Sequence, residues 1–218
     1  MRLRNRVLLG LVSFAVLGII ATRLQAASYS ESDSGDLSNS GTTPGALPLT
    51  VGLNTIIGTV NGSTDSQDFI KLTVPAGAQM TSYVDAVYTS SDNQGFTGFK
   101  TGSTFPGSAF SASSYTGFAH FGTNSSGNGA GAPANTVGLN LLPAPFMADP
   151  SVVSQGASGF TPPLGPGDYT FLIQQLGAST NYEFDITVVP EPGTLCLMTL
   201  GGVLLLAPAI SKMRRKCC

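Results

Sequence analysis

Residues 182–188 read Tyr182-Glu183-Phe184-Asp185-Ile186-Thr187-Val188, with apolar and polar side chains in strict alternation. Successive side chains of a β-strand point to opposite faces, so this pattern gives a strand one apolar face and one polar face. The same alternation recurs over residues 70–74 and 169–173. Between the two apolar termini, no segment keeps the 3.6-residue period of a helix. The sequence therefore predicts an all-β domain.

Short apolar runs separated by Gly, Ser and Thr indicate a two-sheet β-sandwich, and about 140 residues are enough for one such core. We predict the sandwich over residues 46–189. Its strands are predicted over residues 47–53, 55–61, 69–74, 79–89, 136–142, 169–176 and 182–189. Residues 28–45 are rich in Ser and poor in apolar side chains, so we predict a disordered polar leader there.

The N-terminus has the three parts of a secretory signal peptide. Basic residues precede an apolar run over residues 7–21, and the small pair Ala26-Ala27 follows. The basic residues are Arg2, Arg4 and Arg6. We predict a signal peptide over residues 1–27, cleaved after Ala26 or Ala27 once the general secretion machinery has exported the chain. A retained signal anchor is the alternative, because Arg23 lies close to the cleavage site.

The C-terminus carries a second ordered set of signals, which begins with Pro190-Glu191-Pro192-Gly193-Thr194. Proline fixes φ and lacks an N–H donor, so we expect Pro190-Glu191-Pro192 to stay out of any strand as a stiff, solvated segment. A helix over the apolar run 195–210 would reach about 24 Å, which is slightly less than the ~30 Å hydrocarbon core. We predict a single, marginal transmembrane helix over residues 195–211. The tail 212–218 anchors it on the cytoplasmic side through Lys212, Arg214, Arg215 and Lys216.

Basic and acidic residues lie in different parts of the chain. Eight of the ten basic residues flank the two apolar runs near the ends of the chain. Only Lys71 and Lys100 lie between these runs. All twelve acidic residues lie from Glu31 to Glu191, so the body carries a net charge of about −10. A body so poor in Lys and Arg cannot neutralise phosphates, which argues against nucleic-acid binding.

The order of Pro190-Glu191-Pro192, an apolar segment and a terminal basic cluster resembles the PEP-CTERM sorting signal of Gram-negative bacteria. The resemblance implies recognition by an exosortase, a membrane-embedded cysteine protease or transpeptidase. It also implies a fate on the outer surface or in the exopolysaccharide of a biofilm. Gly193 departs from the Ser or Ala that usually follows the tripeptide. An ordinary C-terminal anchor with an incidental proline pair is the alternative.

A second resemblance covers the two ends of the body. Residues 58–62 read Gly-Thr-Val-Asn-Gly, and residues 68–77 read Asp-Phe-Ile-Lys-Leu-Thr-Val-Pro-Ala-Gly. Residues 165–171 read Gly-Pro-Gly-Asp-Tyr-Thr-Phe, and residues 181–188 read Asn-Tyr-Glu-Phe-Asp-Ile-Thr-Val. Together they resemble the opening and the close of a bacterial pre-peptidase C-terminal (PPC) domain. That implies a jelly-roll-type β-sandwich, usually an accessory module beside secreted enzymes.

The middle of the chain repeats aromatic residues among Gly, Ser and Thr. They are Phe96, Phe99, Phe105, Phe110, Tyr115, Phe118 and Phe121. One interpretation is a glycan-stacking platform, with Phe96, Phe99 and Phe118 as candidate contacts. The other, which we favour because the domain needs apolar volume, places the aromatic residues in the core of two or three irregular strands.

The sequence gives little support for catalysis. His120 is the only histidine, and there is no Gly-x-Ser-x-Gly elbow, no histidine-carboxylate zinc motif and no phosphate-binding loop. The three cysteines lie at or beyond Cys196, so the exported body has no thiol for a disulfide or a nucleophile. A pair of glycosidase carboxylates stays open, because counting residues does not exclude it. We predict a non-enzymatic protein with no required cofactor.

Calcium is the one inorganic ligand that the sequence favours. Asp65 and Asp68 flank a predicted turn, and Asp85 and Asp92 follow. Carboxylates on loops of an acidic exported protein suit Ca²⁺, but no EF-hand spacing organises them. Solvated turn carboxylates are the alternative.

These observations predict an exported surface or extracellular-matrix protein that passes through an inner-membrane-tethered intermediate. An exosortase would process it at Pro190–Thr194, and its β-sandwich would lie in or on extracellular polysaccharide. The alternative function is that of a secreted carbohydrate-binding or carbohydrate-active protein that uses the Phe-rich middle.

Overall fold

The computed structural model describes residues 27–193. The predicted signal peptide up to residue 26, Thr194, the predicted transmembrane helix over residues 195–211 and the basic tail 212–218 lie outside the described residues. Within residues 27–193, no helix has both the length and the apolar character needed to cross a membrane.

The described residues form nine strands in two sheets. The strands are β1 (Ser28–Ser30), β2 (Gly45–Pro48), β3 (Gly52–Val60), β4 (Gln67–Val74), β5 (Ala78–Ser90), β6 (Gly95–Thr101), β7 (Gly117–Phe121), β8 (Gly167–Gln174) and β9 (Thr180–Pro190). Two short helices are α1 (Glu31–Ser34) and α2 (Pro150–Ser154), and a 3₁₀ turn covers Ala112–Ser114. This composition confirms the predicted all-β sandwich.

One sheet has four strands in the order β1-β3-β9-β5, and the other has five in the order β2-β4-β8-β6-β7. Most neighbouring strands are antiparallel, but the edge pairs β1/β3 and β2/β4 are parallel. Both sheets are therefore mixed, and each parallel pair is made by the N-terminal part of the chain.

Aromatic rings join the two sheets in the core. Tyr83 of β5 stacks on Phe184 of β9 with ring centroids 4.4 Å apart, and it reaches Phe171 of β8 in the opposite sheet at 4.7 Å. Phe171 in turn stacks on Phe99 of β6 at 5.0 Å. Along β9, the apolar residues Tyr182 to Val188 are buried in alternation with half-exposed polar ones, as the strand pattern predicts. The core is thus a continuous aromatic layer between the sheets.

The strands with strict alternation lie where the sequence predicts them, but three other regions differ. The break predicted between residues 53 and 55 lies earlier, because the buried amide of Asn54 closes a turn by bonding the N–H and the carbonyl of Thr50. Residues 136–142 are not a strand. They contact β5 through an isolated bridge between Asn140 and Val84 and through a few further backbone hydrogen bonds. The Phe-rich middle contains the two strands β6 and β7, as its interpretation as core residues requires.

Residues 28–45 are ordered, so the prediction of a disordered leader is wrong. β1 pairs with β3, Ser38 bridges to Phe69, and Leu37 is only 2 % exposed. Composition does not reveal this order, because the segment is polar. Backbone pairing with other strands and the burial of a single leucine hold it against the sandwich. Its Glu31 carboxylate also accepts the N–H groups of Leu37 and Thr59.

The start of the sorting motif also differs from the expectation. Pro190 is the last residue of β9 and lies opposite Ala78, and the N–H of Glu191 donates to the carbonyl of Gly77 at 2.8 Å. Proline is tolerated at a strand end, where no ladder bond needs its missing N–H. Pro192 and Gly193 are exposed. The motif therefore begins inside the sandwich and emerges from it within three residues.

Candidate functional site

The aromatic residues of the middle divide between the two faces of the five-stranded sheet. Phe99 lies in the core with no exposed surface, so it is not available to a glycan. Phe96 and Phe118 lie on the outer face, because each is an odd number of positions from a core residue of its own strand. Five of the seven aromatic residues are buried, and Phe110 is 72 % exposed.

A cleft of about 380 Å³ lies on the outer face near the ends of β6 and β8. We call it the aromatic cleft. Its aromatic lining is Phe96, Phe110, Tyr115 and Phe118, and its polar lining is Gln94, His120, Gln155, Gln174 and Gln175, with Gly95, Ala109, Ala112 and Leu176 completing it. None of these lining residues carries a carboxylate, a lysine or an arginine.

Strand register assembles the floor of the aromatic cleft. Phe96 lies directly across from His120 on β7 and from Gln174 on β8, so the three side chains share one face. The Phe96 ring contacts Tyr115 at 5.4 Å and Phe118 at 5.6 Å between centroids. The Tyr115 hydroxyl donates to the carbonyl of Ala109 at 2.6 Å, which holds the neighbouring loop against the sheet.

Two buried polar atoms in the cleft have no partner among the described residues. They are Nε2 of Gln174, whose side chain is 5 % exposed, and Nδ1 of His120. Burial lowers the pKa of His120, so its imidazole is neutral at neutral pH. An amide donor, a neutral imidazole and aromatic faces suit an uncharged, hydroxyl-rich ligand.

The surroundings of His120 differ from those of a catalytic base. Its ring packs edge-on against Phe96 with centroids 5.4 Å apart. Its backbone N–H donates to the side chain of Asn128, and the Asn128 amide donates back to its carbonyl. No carboxylate among residues 27–193 orients the imidazole, although base catalysis by histidine generally uses such a partner.

A second group of side chains, which we call the acidic cluster, consists of Glu31, Asp36, Asp65 and Asp68. One oxygen each from Glu31, Asp36 and Asp68 lies within 4.8 Å of the others. Asp65 adjoins them: its carboxyl group interacts with that of Asp36 and accepts a hydrogen bond from the side chain of Asn39. The two predicted calcium ligands are thus close together, and the N-terminal segment adds Glu31 and Asp36.

Burial dominates the electrostatics of the acidic cluster. It raises the pKa of Asp68 to about 8, the hydroxyl of Tyr182 opposes that rise, and the other three carboxylates add to it. Burial likewise raises the pKa of Glu31 and of Asp65. No lysine contributes to any of these three shifts.

The other two aspartates that the sequence singled out lie elsewhere. Asp85 is buried, and its Oδ2 accepts from the Thr136 hydroxyl at 2.8 Å and from the Gly122 N–H at 3.2 Å. Asp92 lies in the turn after β5, where its Oδ1 accepts the N–H of Asn93. Neither joins the acidic cluster.

Of the sorting residues, Pro190, Glu191, Pro192 and Gly193 lie at the end of β9. Thr194 and the anchor residues Lys212, Arg214, Arg215 and Lys216 lie outside the described residues. Comparison of the chain with protein-family models, with curated proteins and with solved structures gave no significant match. The resemblances to PEP-CTERM signals and to PPC domains therefore stay predictions.

Proposed function

We propose that the chain is an exported, non-enzymatic protein of the cell surface or extracellular matrix, and that an exosortase processes it at Pro190–Thr194. The observation that carries the proposal is the ordered C-terminal set of Pro-Glu-Pro, apolar run and basic cluster. An acidic body without cysteine between two basic flanks supports the same topology. Exposed Pro192 and Gly193 directly after β9 leave room for a processing enzyme.

Substitution in the motif tests the processing step. In bacteria that carry an exosortase, we expect Glu191→Ala to accumulate as an unprocessed, membrane-bound chain, while the parent protein is released from the membrane fraction. Glu183→Ala, an acidic residue of β9 outside the motif, is the matched control and should be released normally. Normal release of Glu191→Ala would contradict the proposal.

A second function, carbohydrate binding, is favoured by the aromatic cleft. Sugar rings present C–H patches to aromatic faces and hydroxyl groups to amide donors. The cleft offers both, with Phe110 exposed, Phe96 half-exposed and the unpartnered Nε2 of Gln174 at its floor. The lack of charged lining residues favours a neutral glycan segment over an acidic one. A matrix protein with such a site would be held in the polysaccharide around it.

Retention of the purified full-length chain on immobilised extracellular polysaccharide tests this function. We expect Phe110→Ala to weaken binding roughly fivefold, because one aromatic contact is worth about 1 kcal/mol. Gln174→Leu should weaken it as well by removing the unpartnered donor. Leu53→Ala, an exposed apolar residue of the other sheet, should bind as the parent does.

Phe110 contributes little to the core, so Phe110→Ala should leave the melting temperature unchanged. Weaker binding by this variant would then reflect a lost contact with the glycan and not unfolding. Equal retention of the parent protein and of Phe110→Ala would rule out the aromatic cleft as the binding site. No retention of the parent on neutral polysaccharides would rule out the function.

We also propose that the sandwich has the jelly-roll-type fold of the PPC domains that it resembles. The residues that carry the resemblance lie in β3, β4, β8 and β9 or in the turns next to them. These strands pair as β3 with β9 and as β4 with β8. The opening and the close of the domain are thus neighbours in both sheets. This arrangement supports a jelly-roll-type accessory sandwich.

A further inference from the structure

The acidic cluster lies where the N-terminal segment crosses the seam between the two sheets. Glu31 belongs to α1 and Asp36 to the loop after it, whereas Asp65 precedes β4 and Asp68 lies within β4. The hydroxyl of Tyr182, on β9 of the four-stranded sheet, donates to Oδ2 of Asp68 on the five-stranded sheet at 2.6 Å. The cluster therefore contacts both sheets and the segment that covers their edge.

The separations among three members of the cluster match those of oxygen ligands around one calcium ion, and Asp65 adjoins these three. Ca²⁺ binds oxygens at about 2.3–2.6 Å, so two of its ligand atoms lie at most about 5 Å apart. The oxygens of Glu31, Asp36 and Asp68 lie within 4.8 Å of one another. Gly58 allows Glu31 and Tyr182 to lie close to β3, because a Cβ at position 58 would collide with the Tyr182 hydroxyl and lie 2.9 Å from Cδ of Glu31.

An unsatisfied atom points to a missing positive partner. Oδ1 of Asp68 is buried, in a side chain with no exposed surface, and has no hydrogen-bond partner among residues 27–193. Oδ1 of Asp65 is also buried and has no partner among these residues. Buried carboxylate oxygens are costly unless they are paired or bind a metal. Lys71 and Lys100 are the only lysines or arginines in the described part of the chain, and neither contributes to the environment of Asp65 or Asp68.

We propose that Glu31, Asp36, Asp65 and Asp68 bind one Ca²⁺ ion that fastens the N-terminal segment across the edge of the sandwich. Four carboxylates supply hard oxygen ligands, and the absence of histidine and cysteine from the cluster disfavours zinc. Asp36 is exposed and gives the ion an entry path. The ion would stabilise the sandwich chiefly by holding residues 31–36 against β3 and β4.

Melting of the full-length chain, kept in mild detergent, tests the site with the metal alone. Calcium at about 100 times its dissociation constant should raise the melting temperature by roughly 5–10 °C over the same sample in EDTA. An unchanged midpoint would overturn the proposal and leave a protonated carboxyl network as the account of the cluster. An equal rise with magnesium at the same concentration would overturn the assignment to calcium.

Variants locate the ion. Asp36→Asn alters an exposed side chain, so the chain should fold and yet need at least tenfold more calcium for the same rise in melting temperature. Asp33→Asn, an exposed acidic residue on α1 outside the cluster, is the matched control and should respond as the parent does. A full calcium response in Asp36→Asn would place the ion elsewhere and overturn the proposal.

Terbium luminescence gives a readout that does not depend on stability. The chain has no tryptophan, and the cluster lies beside Tyr182 and Tyr29, so excited tyrosine should sensitise a Tb³⁺ ion bound there. We expect emission that calcium displaces and that Asp36→Asn strongly reduces. Emission of full intensity in that variant would contradict the site.

Discussion

At the scale of single residues, Asp85 is a buried acid whose charge opposes folding. Its Oδ2 accepts two hydrogen bonds from Thr136 and Gly122, but its Oδ1 has no partner among the described residues. Burial raises the pKa of Asp85 above its ordinary value, and the two hydrogen bonds oppose that rise only in part. The folded state therefore holds this proton more tightly than the unfolded state does.

That difference predicts a pH dependence of stability. The contribution of Asp85 to the free energy of unfolding is fully present below its unfolded pKa of about 4, and it is lost as pH rises through the higher folded pKa. We expect the stability of the parent protein relative to Asp85→Asn to fall as pH rises above about 4. Urea unfolding of both proteins at each pH measures it, and a constant difference would contradict the prediction.

Phe96 and Phe99 illustrate how much of the site the sequence predicts. Both were candidate glycan contacts, but residues three apart on a strand lie on opposite faces, so only Phe96 reaches the cleft. Gln174 and His120 join it through strand register across β6. The sequence could supply the aromatic pattern but not this register, because Phe96 of β6 pairs with Gln174, which is distant in the sequence.

At the scale of elements, strict alternation made β4, β8 and β9 predictable, whereas glycine concealed β6. Gly98 lies within that strand, although glycine normally weakens strands. A Cβ there would lie 2.6 Å from the Tyr115 ring and 2.8 Å from Cβ of Phe118, so the packing of the aromatic rings requires glycine. Local propensity pointed away from a strand that tertiary packing imposes.

The N-terminal segment is the element whose order depends most on contacts distant in sequence. Leu37 packs into the main core, and a Cβ on Gly45 would lie 2.6 Å from it. We expect Leu37→Ala to lower the free energy of unfolding by about 2–5 kcal/mol and to expose residues 28–45 to protease. Urea unfolding and limited proteolysis measure the two effects.

The matched control is Leu53→Ala, because Leu53 is 50 % exposed on β3. It should change the free energy of unfolding by no more than about 0.5 kcal/mol and leave the proteolysis pattern unchanged. A segment that is cleaved equally fast in the parent protein and in Leu37→Ala would contradict its ordered packing.

At the scale of the whole molecule, the sequence combines a β-sandwich with the proposed sorting signals at its two ends. The sandwich needs no disulfide, because two sheets enclose a continuous aromatic core and the N-terminal segment covers one edge. Its acidic surface, its neutral cleft and its acidic cluster suit a polysaccharide-rich medium that contains calcium. β9 runs directly into Pro190-Glu191-Pro192, so the proposed processing would act at the boundary of the fold.

Intact-mass measurement of the protein recovered from outside an exosortase-bearing cell tests the central claim most directly. Export and processing predict a chain that begins at Ala27 or Ser28 and ends between Pro190 and Thr194. A recovered chain that still carries Cys218 would contradict sorting at the Pro-Glu-Pro signal.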